Sequence, residues 1–570
     1  MTSRSTAEEG SKPKATWPHP ALQAGGSALL LWTTFPPANW GWLAWIALVP
    51  LFLLVKSRGE RSARSVYFGA WLGGVIFWSL AIQWVRLTDE SAWLGWLAMV
   101  LALSAFWPLF LWITRLAVLR LRLPLMVAAP VVWVALEYAR AYFATGFPWY
   151  YLAHSQHQSL GVIQISDWSG SLGVSFLIAV VNAWLVELLT QPLMRPTAKG
   201  ARLTTAQGVR LGAVLGMLGL TLGYGAFRLS TAKFLPGPRV ALLQSSLIQR
   251  YKESKSAAEI IEIYRRLVFR GGGANSDGAK RPDLIVWPET SYPYGFVDID
   301  PGMEHGALAA QVREVSETFT VAGRIEQRDR ISADLHNLTD QVGIPMLVGS
   351  LTYEHRPAGM SKFNSAILFK PREAKVESYH KLHLVPFGEY VPLIGTFPWL
   401  TVFTPYSGTY VPSLNFGRGP VWLDLGAYRL AVAICFEDTL PQVVREFFQK
   451  TSDGRQPDVL VNLSNDGWFH GSSEHDMHLA VSVFRCVENR VPLIRAANTG
   501  ISAIVDGNGR VLKELPKLQE NVLVGEVPLD NRVGMYSVWG DWLGRFCLAV
   551  TIGFLPLGYF WRRGLDVRVS

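Results

Sequence analysis

Residues 430–438 read LAVAICFED: five apolar residues in unbroken succession, then Cys435, Phe436, Glu437 and Asp438. A strand with one wet face alternates apolar and polar residues, whereas a continuous run is covered on both faces, as in layered α/β domains. Similar runs recur at 240–243, 284–287, 346–348, 366–369 and 459–463, separated by longer amphipathic or polar stretches such as 473–490, which reads as a helix. The chain from about 240 to 529 therefore reads as an α/β or layered α+β domain. A thiol at the end of such a strand sits at a sharp strand-to-helix turn, with the following backbone N–H, that of Phe436, available beside it.

On either side of this domain the chain turns apolar. Half of its 570 residues are hydrophobic and 17% are charged, against about 25% charged in a soluble domain; the mean hydropathy is +0.20. A bilayer core takes about 20 residues of helix. Seven apolar runs precede the domain, at 22–35, 38–55, 66–85, 92–114, 123–143, 168–190 and 211–227, and an eighth follows at 539–561. The first is short and carries Gly25 and Gly26. The expected division is a transmembrane bundle over 1–229, a water-exposed domain over 235–530, and a last membrane helix with its tail over 539–570. Without a small-residue cleavage site, the first run is expected to stay as an anchor.

Short cytoplasmic loops retain Lys and Arg. Such residues cluster before the first run (Arg4, Lys12, Lys14) and after the second (Lys56, Arg58, Arg61, Arg64) and fourth (Arg115, Arg120, Arg122). They cluster again after the sixth (Arg195, Lys199, Arg202, Arg210) and eighth (Arg562, Arg563, Arg568), while Arg86 is the main exception at the other exits. Both termini are then cytoplasmic and the domain after the seventh run lies on the far side. The net charge of +9 is spread over these loops rather than along one face, so nucleic acid is not an expected partner. Trp40, Trp42, Trp45, Trp149 and Trp168 suit an interfacial belt, although packing accounts for any one of them. Glu137 and Arg140 lie three residues apart in the fifth run, where an unpaired charge is costly; an ion pair on one helix face is the simpler reading, a lipid-headgroup groove the other.

Reactive side chains end three of the domain's strands. Glu289 follows LIVWP, Lys381 lies in YHKLHLVPFGE, and Cys435 ends LAVAI. A thiol with a pKa of about 8.5 is a weak nucleophile until a base takes its proton or a cation stabilises the thiolate. A carboxylate supplies the base, and an ammonium steadies both the thiolate and the oxyanion of an attacked carbonyl. Singly, each residue has a plainer explanation, because free Cys behaves as a small hydrophobe and strand-end charges are usually solvated.

Together the segments WPET (287–290), HKLHLVPFGEYVP (380–392), ICFED (434–438), NLSNDGWF (462–469), RCVENRVPLIRAANTGISA (485–503) and GFPW (146–149) resemble the nitrilase superfamily. Within it, nearly the whole chain is similar to the apolipoprotein N-acyltransferase family. The resemblance implies eight membrane helices, with a nitrilase-like αββα sandwich between the seventh and eighth. It implies Glu289 as general base, Lys381 as oxyanion and thiolate stabiliser and Cys435 as nucleophile. Glu389 would orient Lys381, Glu437 would support the nucleophile turn, and the Phe436 N–H would complete an oxyanion hole. Asn465, Trp468 and Tyr251 are the candidate substrate-binding residues. Two departures stand out: Phe436 replaces a Tyr common in the family and brings no hydroxyl, and QSSLIQRYK (244–252), with Tyr251 as lid candidate, follows the family pattern loosely.

The function so implied is transfer of an acyl chain from a phospholipid donor to the amino group of a diacylglyceryl apolipoprotein, through a Cys435 thioester, by a monomer in the bacterial cytoplasmic (inner) membrane with its catalytic domain periplasmic. A membrane-anchored amidase with the same trio is the rival; seven helices are more than an anchor requires. A transporter or inactive lipid-binding scaffold predicts helical repeats and charges along a path, whereas only Glu137 and Arg140 and no internal symmetry are evident. In NLSNDGWF, Asn462, Asn465 and Asp466 either build a turn or touch substrate. His383, His470, His475 and His478 lack a metal-ligand spacing, so neither a metal nor another cofactor is expected. Cys547 falls in the last apolar run, leaving Cys435 and Cys486 as the only candidates for a disulfide, and both are expected to be reduced.

Overall fold

The computed structural model describes residues 18–57, 62–192, 194–197, 200–273, 280–315, 320–404, 411–449 and 454–566. Arg4, Lys12, Lys14, Arg58, Arg61, Lys199 and Arg568, used above for orientation, lie outside them.

Among the described residues, five helices are long and apolar enough to cross a membrane: Trp93–Arg120, Leu125–Tyr142, Ser171–Thr190, Thr205–Ser230 and Trp542–Tyr559. Of the other three expected runs, the third forms one 19-residue helix, Ala63–Ala81, while the first is short and the second is broken. The first forms Pro20–Thr33, only 14 residues, packed on Ala63–Ala81 of the third. Their approach is so close that a Cβ at Gly73 would run into the Ala24 backbone, the small-residue contact typical of membrane helices. The second run is not one helix but a 3₁₀ turn, Ala44–Ala47 and Val49–Lys56. Pro50 has no N–H to give and its ring clashes with the preceding turn. Asn182 of Ser171–Thr190 spans the break, accepting from Leu48 N and donating to Ala44 O, both at 2.9 Å.

Glu137 and Arg140 are both buried and lie within electrostatic reach of each other, but their hydrogen bonds go elsewhere. Instead they clasp one loop: Arg140 donates to Trp149 O at 2.7 Å, and Glu137 accepts from Leu152 N at 2.9 Å. The expectation of a pair on one helix face is corrected on this point. The backbone polar groups of an irregular segment inside the bundle need partners, and these two charges supply them.

The domain is a nitrilase-like αββα sandwich. One sheet runs in the order 521–526, 239–244, 284–286, 346–356, 359–369, 377–380, with 296–299 also pairing on 346–356. The other runs 422–425, 428–434, 459–464, 493–497, 502–505, 511–515. The central neighbours are parallel in both sheets. Strand alternation sorts the side chains: Ala241, Leu243, Ile285 and Met346 pack with Tyr264, Leu267, Leu335 and Leu338 of the outer helices Ala257–Gly272 and Val321–Val342. Val240, Leu242, Val286 and Leu347 share a core with Val432, Leu460 and Ile494 of the second sheet. Ser473–Asn489 covers that sheet's far side, and its core continues without interruption into the membrane bundle. Double coverage is why these strands read as unbroken apolar runs.

Candidate active site

Four strands end along one edge of the sandwich. Leu284–Val286 leads to Glu289, Glu377–His380 to Lys381, Tyr428–Ile434 to Cys435 and Val459–Ser464 to Asn465. Lys381, wholly buried, puts its Nζ 2.9 Å from Glu389 Oε2 and 3.4 Å from Glu289 Oε1. Cys435 lies within the electrostatic reach of Glu289, Lys381 and Glu389. The expected base, ammonium and thiol, with Glu389, are thus brought to one place.

Burial, joined by the Glu289 charge, pushes the Cys435 thiol well above its ordinary range, against the pull of Lys381. Burial works against the Lys381 ammonium too, but Glu389 and then Glu289 outweigh it and hold the group above its usual range. The resting pair is therefore a protonated thiol beside a charged lysine, which calls for a base at the moment of attack rather than a preformed thiolate.

Asn364, whose side chain the sequence did not single out, joins the two carboxylates. Its Nδ2 donates to Glu289 Oε1 at 2.7 Å and to Glu389 Oε1 at 2.8 Å. Glu289 is held from its other oxygen by Asn465 N at 2.8 Å. Glu389 Oε2 also accepts from Val385 N at 2.7 Å, closing the loop that follows Lys381.

Cys435 occupies the left-handed region at φ 52°, a conformation costing about 1–2 kcal/mol for a side chain other than glycine, and it opens the 3₁₀ turn Cys435–Thr439. N–H groups at the start of such a turn have no intrahelical acceptor, and that of Phe436 is among them. Glu437 fixes the turn. It accepts from Ile434 N at 2.6 Å, Leu382 N at 2.5 Å, His383 N at 2.9 Å and the Tyr379 hydroxyl at 2.9 Å. One carboxylate thereby ties the Cys435 strand to the Lys381 strand.

Burial raises Glu437 to about 7 despite those donors. Between about 4.5 and 7 the folded chain holds a proton that the unfolded chain releases, so this group's contribution to stability declines as pH rises through that window. Glu437→Gln places an NH₂ against N–H donors and is expected to cost about 1–3 kcal/mol. Thermal unfolding in detergent from pH 4.5 to 7.5 checks it: the gap between wild type and variant should narrow toward the alkaline end, and a constant gap rejects the assignment.

The substrate-binding candidates fare differently. Asn465 is buried, with its side chain engaged by Asn498 Nδ2 at 2.9 Å and Gln249 Oε1 at 3.3 Å. Trp468 is half-buried in the 3₁₀ turn Asp466–Phe469. Tyr251 falls on the short helix Gln249–Ser254, and its side chain lies outside the described residues. The bundle reaches this edge: His383 Nε2 donates to Thr145 O at 2.9 Å, Trp149 lies 5.4 Å from the His478 ring, and Trp84 meets Phe469 edge-on at 5.0 Å.

His478 does have ligand-type neighbours that spacing did not reveal, since Asp466, Glu474 and His478 offer atoms within 4.8 Å of one another. The Arg495 guanidinium occupies the cation's place there, 2.8 Å from Asp466 Oδ2 and 2.9 Å from His478 Nδ1. All three cysteines are free.

Residues 27–184 match the apolipoprotein N-acyltransferase N-terminal domain, and residues 239–534 match the carbon-nitrogen hydrolase family. An apolipoprotein N-acyltransferase of Geobacter metallireducens is 32% identical, with 93% of each chain covered. Proteins of the same name from Rhodopirellula baltica (28%, 93% of this chain and 96% of that one) and Chlorobaculum tepidum (29%, 93% and 95%) are also similar. Two domain matches in the expected order, and a relative aligned over nearly its full length, lead to one conclusion: the chain belongs to the apolipoprotein N-acyltransferase family.

Proposed function

We propose that this acyltransferase moves a fatty acyl chain from a phospholipid to the α-amino group of a diacylglyceryl-cysteine at a lipoprotein N-terminus, through a thioester on Cys435. The observation that carries the reading is the convergence of Glu289, Lys381 and Cys435 on an edge that the membrane bundle itself meets at Thr145 and Trp149.

Glu289 takes the thiol proton as sulfur attacks the ester carbonyl, and Lys381 with the Phe436 N–H steadies the oxyanion. The C–O bond breaks, the proton passes to the leaving oxygen, and lysophospholipid departs. The acceptor amine then attacks the thioester, gives its proton to Glu289, and releases the thiol as the amide forms. Both substrates are lipid-anchored, and at about 0.8 kcal/mol for each acyl CH₂ exposed to water a soluble enzyme could not extract them. The bundle brings the site to the lipids.

In this reading residues 1–229 form the bundle, 235–530 the periplasmic catalytic domain and 539–570 the last helix with its cytoplasmic tail, and the protein acts as a monomer with both termini in the cytoplasm. Asn465, Trp468 and Tyr251 line the approach of substrate. A hydrolytic amidase would use the same trio; the bundle packed at the site favours a lipid substrate.

Incubating purified enzyme with a defined phospholipid and no acceptor tests the reading. Intact-protein mass spectrometry is expected to find one acyl mass mapping to Cys435, released by a diacylglyceryl peptide and absent in Cys435→Ala. Lysophospholipid production without that adduct, at any quench time, would turn the assignment toward hydrolysis.

A further inference from the structure

Below the Cys435 turn lies a buried polar cluster that the proposed chemistry does not use: Asp438, Asp466, Glu474, His478, Ser482 and Arg495, each at most 2% exposed. Charges are seldom buried without a task, because each loses several kcal/mol of hydration. Arg495 is central, on the strand Leu493–Ala497 between 459–464 and 502–505. One of its nitrogens donates to Asn462 Oδ1 at 2.7 Å and lies 3.5 Å from Asp438 Oδ2; the other donates to Asp466 Oδ2 at 2.8 Å.

These contacts lead to two catalytic groups, Cys435 and Glu289. With Asn462 Oδ1 facing the guanidinium, its Nδ2 faces the other way and donates to Cys435 O at 3.1 Å. That carbonyl belongs to the left-handed residue, whose backbone needs an external hold. Asp466 anchors the loop that begins at Asn465, whose N–H meets Glu289 Oε2 at 2.8 Å. A Cβ at Gly500 would collide with Asp466 Oδ2, so the loop has no slack on that side. His478 Nε2, 2.8 Å from Asp438 Oδ1, and the Ser482 hydroxyl, 2.6 Å from Asp438 Oδ2, hold the far end of the Cys435 turn.

We infer that Arg495 is a positioning residue that sets the Cys435 turn through Asn462 and the Glu289 carboxylate through the Asp466 loop, so that one buried cation fixes nucleophile and base relative to each other. The inference rests on the catalytic assignment of Cys435 and Glu289 above. Its chemistry follows from geometry: a planar fork with donors on both sides serves two acceptors at fixed spacing, and a lysine ammonium serves them as a single point. A misplacement of about 1 Å between reacting groups costs on the order of 100-fold in rate.

The test uses full-length enzyme in detergent with Arg495→Lys and Asn462→Ala, the latter leaving every charge of the cluster in place. Three readouts are taken: thermal unfolding, the rate of Cys435 acylation against phospholipid concentration, and the pH profile of Cys435 alkylation by iodoacetamide. Both variants are expected to lower the maximal acylation rate about 30- to 100-fold, with half-saturating phospholipid within about threefold of wild type. The alkylation profile should move in Asn462→Ala while its unfolding temperature stays near wild type. A folded Asn462→Ala with wild-type acylation and alkylation overturns the inference, whether or not Arg495→Lys folds. Full turnover by Cys435→Ala would instead remove the catalytic assignment itself, a failure separable because it does not involve Arg495.

Discussion

Lys381→Met is expected to reduce acyl-adduct formation on Cys435 by about 10³-fold or more while leaving phospholipid binding close to wild type. Removing one oxyanion donor typically costs 10²- to 10³-fold, and this ammonium also opposes the rise of the thiol that burial and Glu289 impose. Its loss leaves the buried Glu289 and the half-buried Glu389 bridged only by Asn364. Breaking a buried pair by removing one partner costs about 3–5 kcal/mol, a cost that proton uptake by one carboxylate reduces. The variant should therefore unfold at a lower temperature, yet remain folded enough for single-turnover acylation to be read by mass spectrometry. Its iodoacetamide profile should move to higher pH, since the cation that favours the thiolate is gone. Wild-type acylation in a folded Lys381→Met protein would remove Lys381 from the mechanism.

Which parts of this arrangement the sequence disclosed depends on how each residue acts. Continuous apolar runs at 240–243 and 430–434 announced strands covered on both faces, because the pattern is local and its cause, double burial, leaves no polar position to disguise it. Strands 346–356 and 359–369 extend well beyond their apolar portions: 359–362 are half-exposed, and Thr352, Glu354 and His355 are polar although buried. The second apolar run looked continuous, but Pro50 and Asn182 divide it, and Asn182 lies in another helix where no window of sequence connects the two.

The same limit governs the site. Cys435, Lys381 and Glu289 were legible because motif and strand end coincide. Asn364 was not: it is one polar residue in a strand, and its task of joining Glu289 to Glu389 exists only after three segments far apart in sequence pair. Glu437 was expected to support the turn, yet its bonds to Leu382, His383 and Tyr379 depend on sheets that the chain alone does not align. Glu137 and Arg140 were marked as costly charges three residues apart, and spacing suggested that they would satisfy each other. They serve loop backbone instead, a demand invisible until the loop enters the bundle.

Glu289→Gln separates two roles that Lys381→Met cannot. Loss of a positioned general base costs about 10²- to 10⁴-fold, and glutamine cannot take the thiol proton. Its amide also cannot replace both carboxylate oxygens, which accept from Asn364 Nδ2 and Asn465 N, so one of those donors meets an NH₂. Acyl transfer should accordingly collapse. The thiol responds in the opposite sense: the Glu289 charge helps to raise it, and removing that charge should shift the iodoacetamide profile to lower pH. A residue that merely supplied negative charge would make the enzyme better when neutralised, because more thiolate would be present at neutral pH. Faster alkylation together with arrested acylation is therefore the signature of a base needed in the transition state, whereas acylation rising with alkylation would mean that the proton leaves Cys435 by another route.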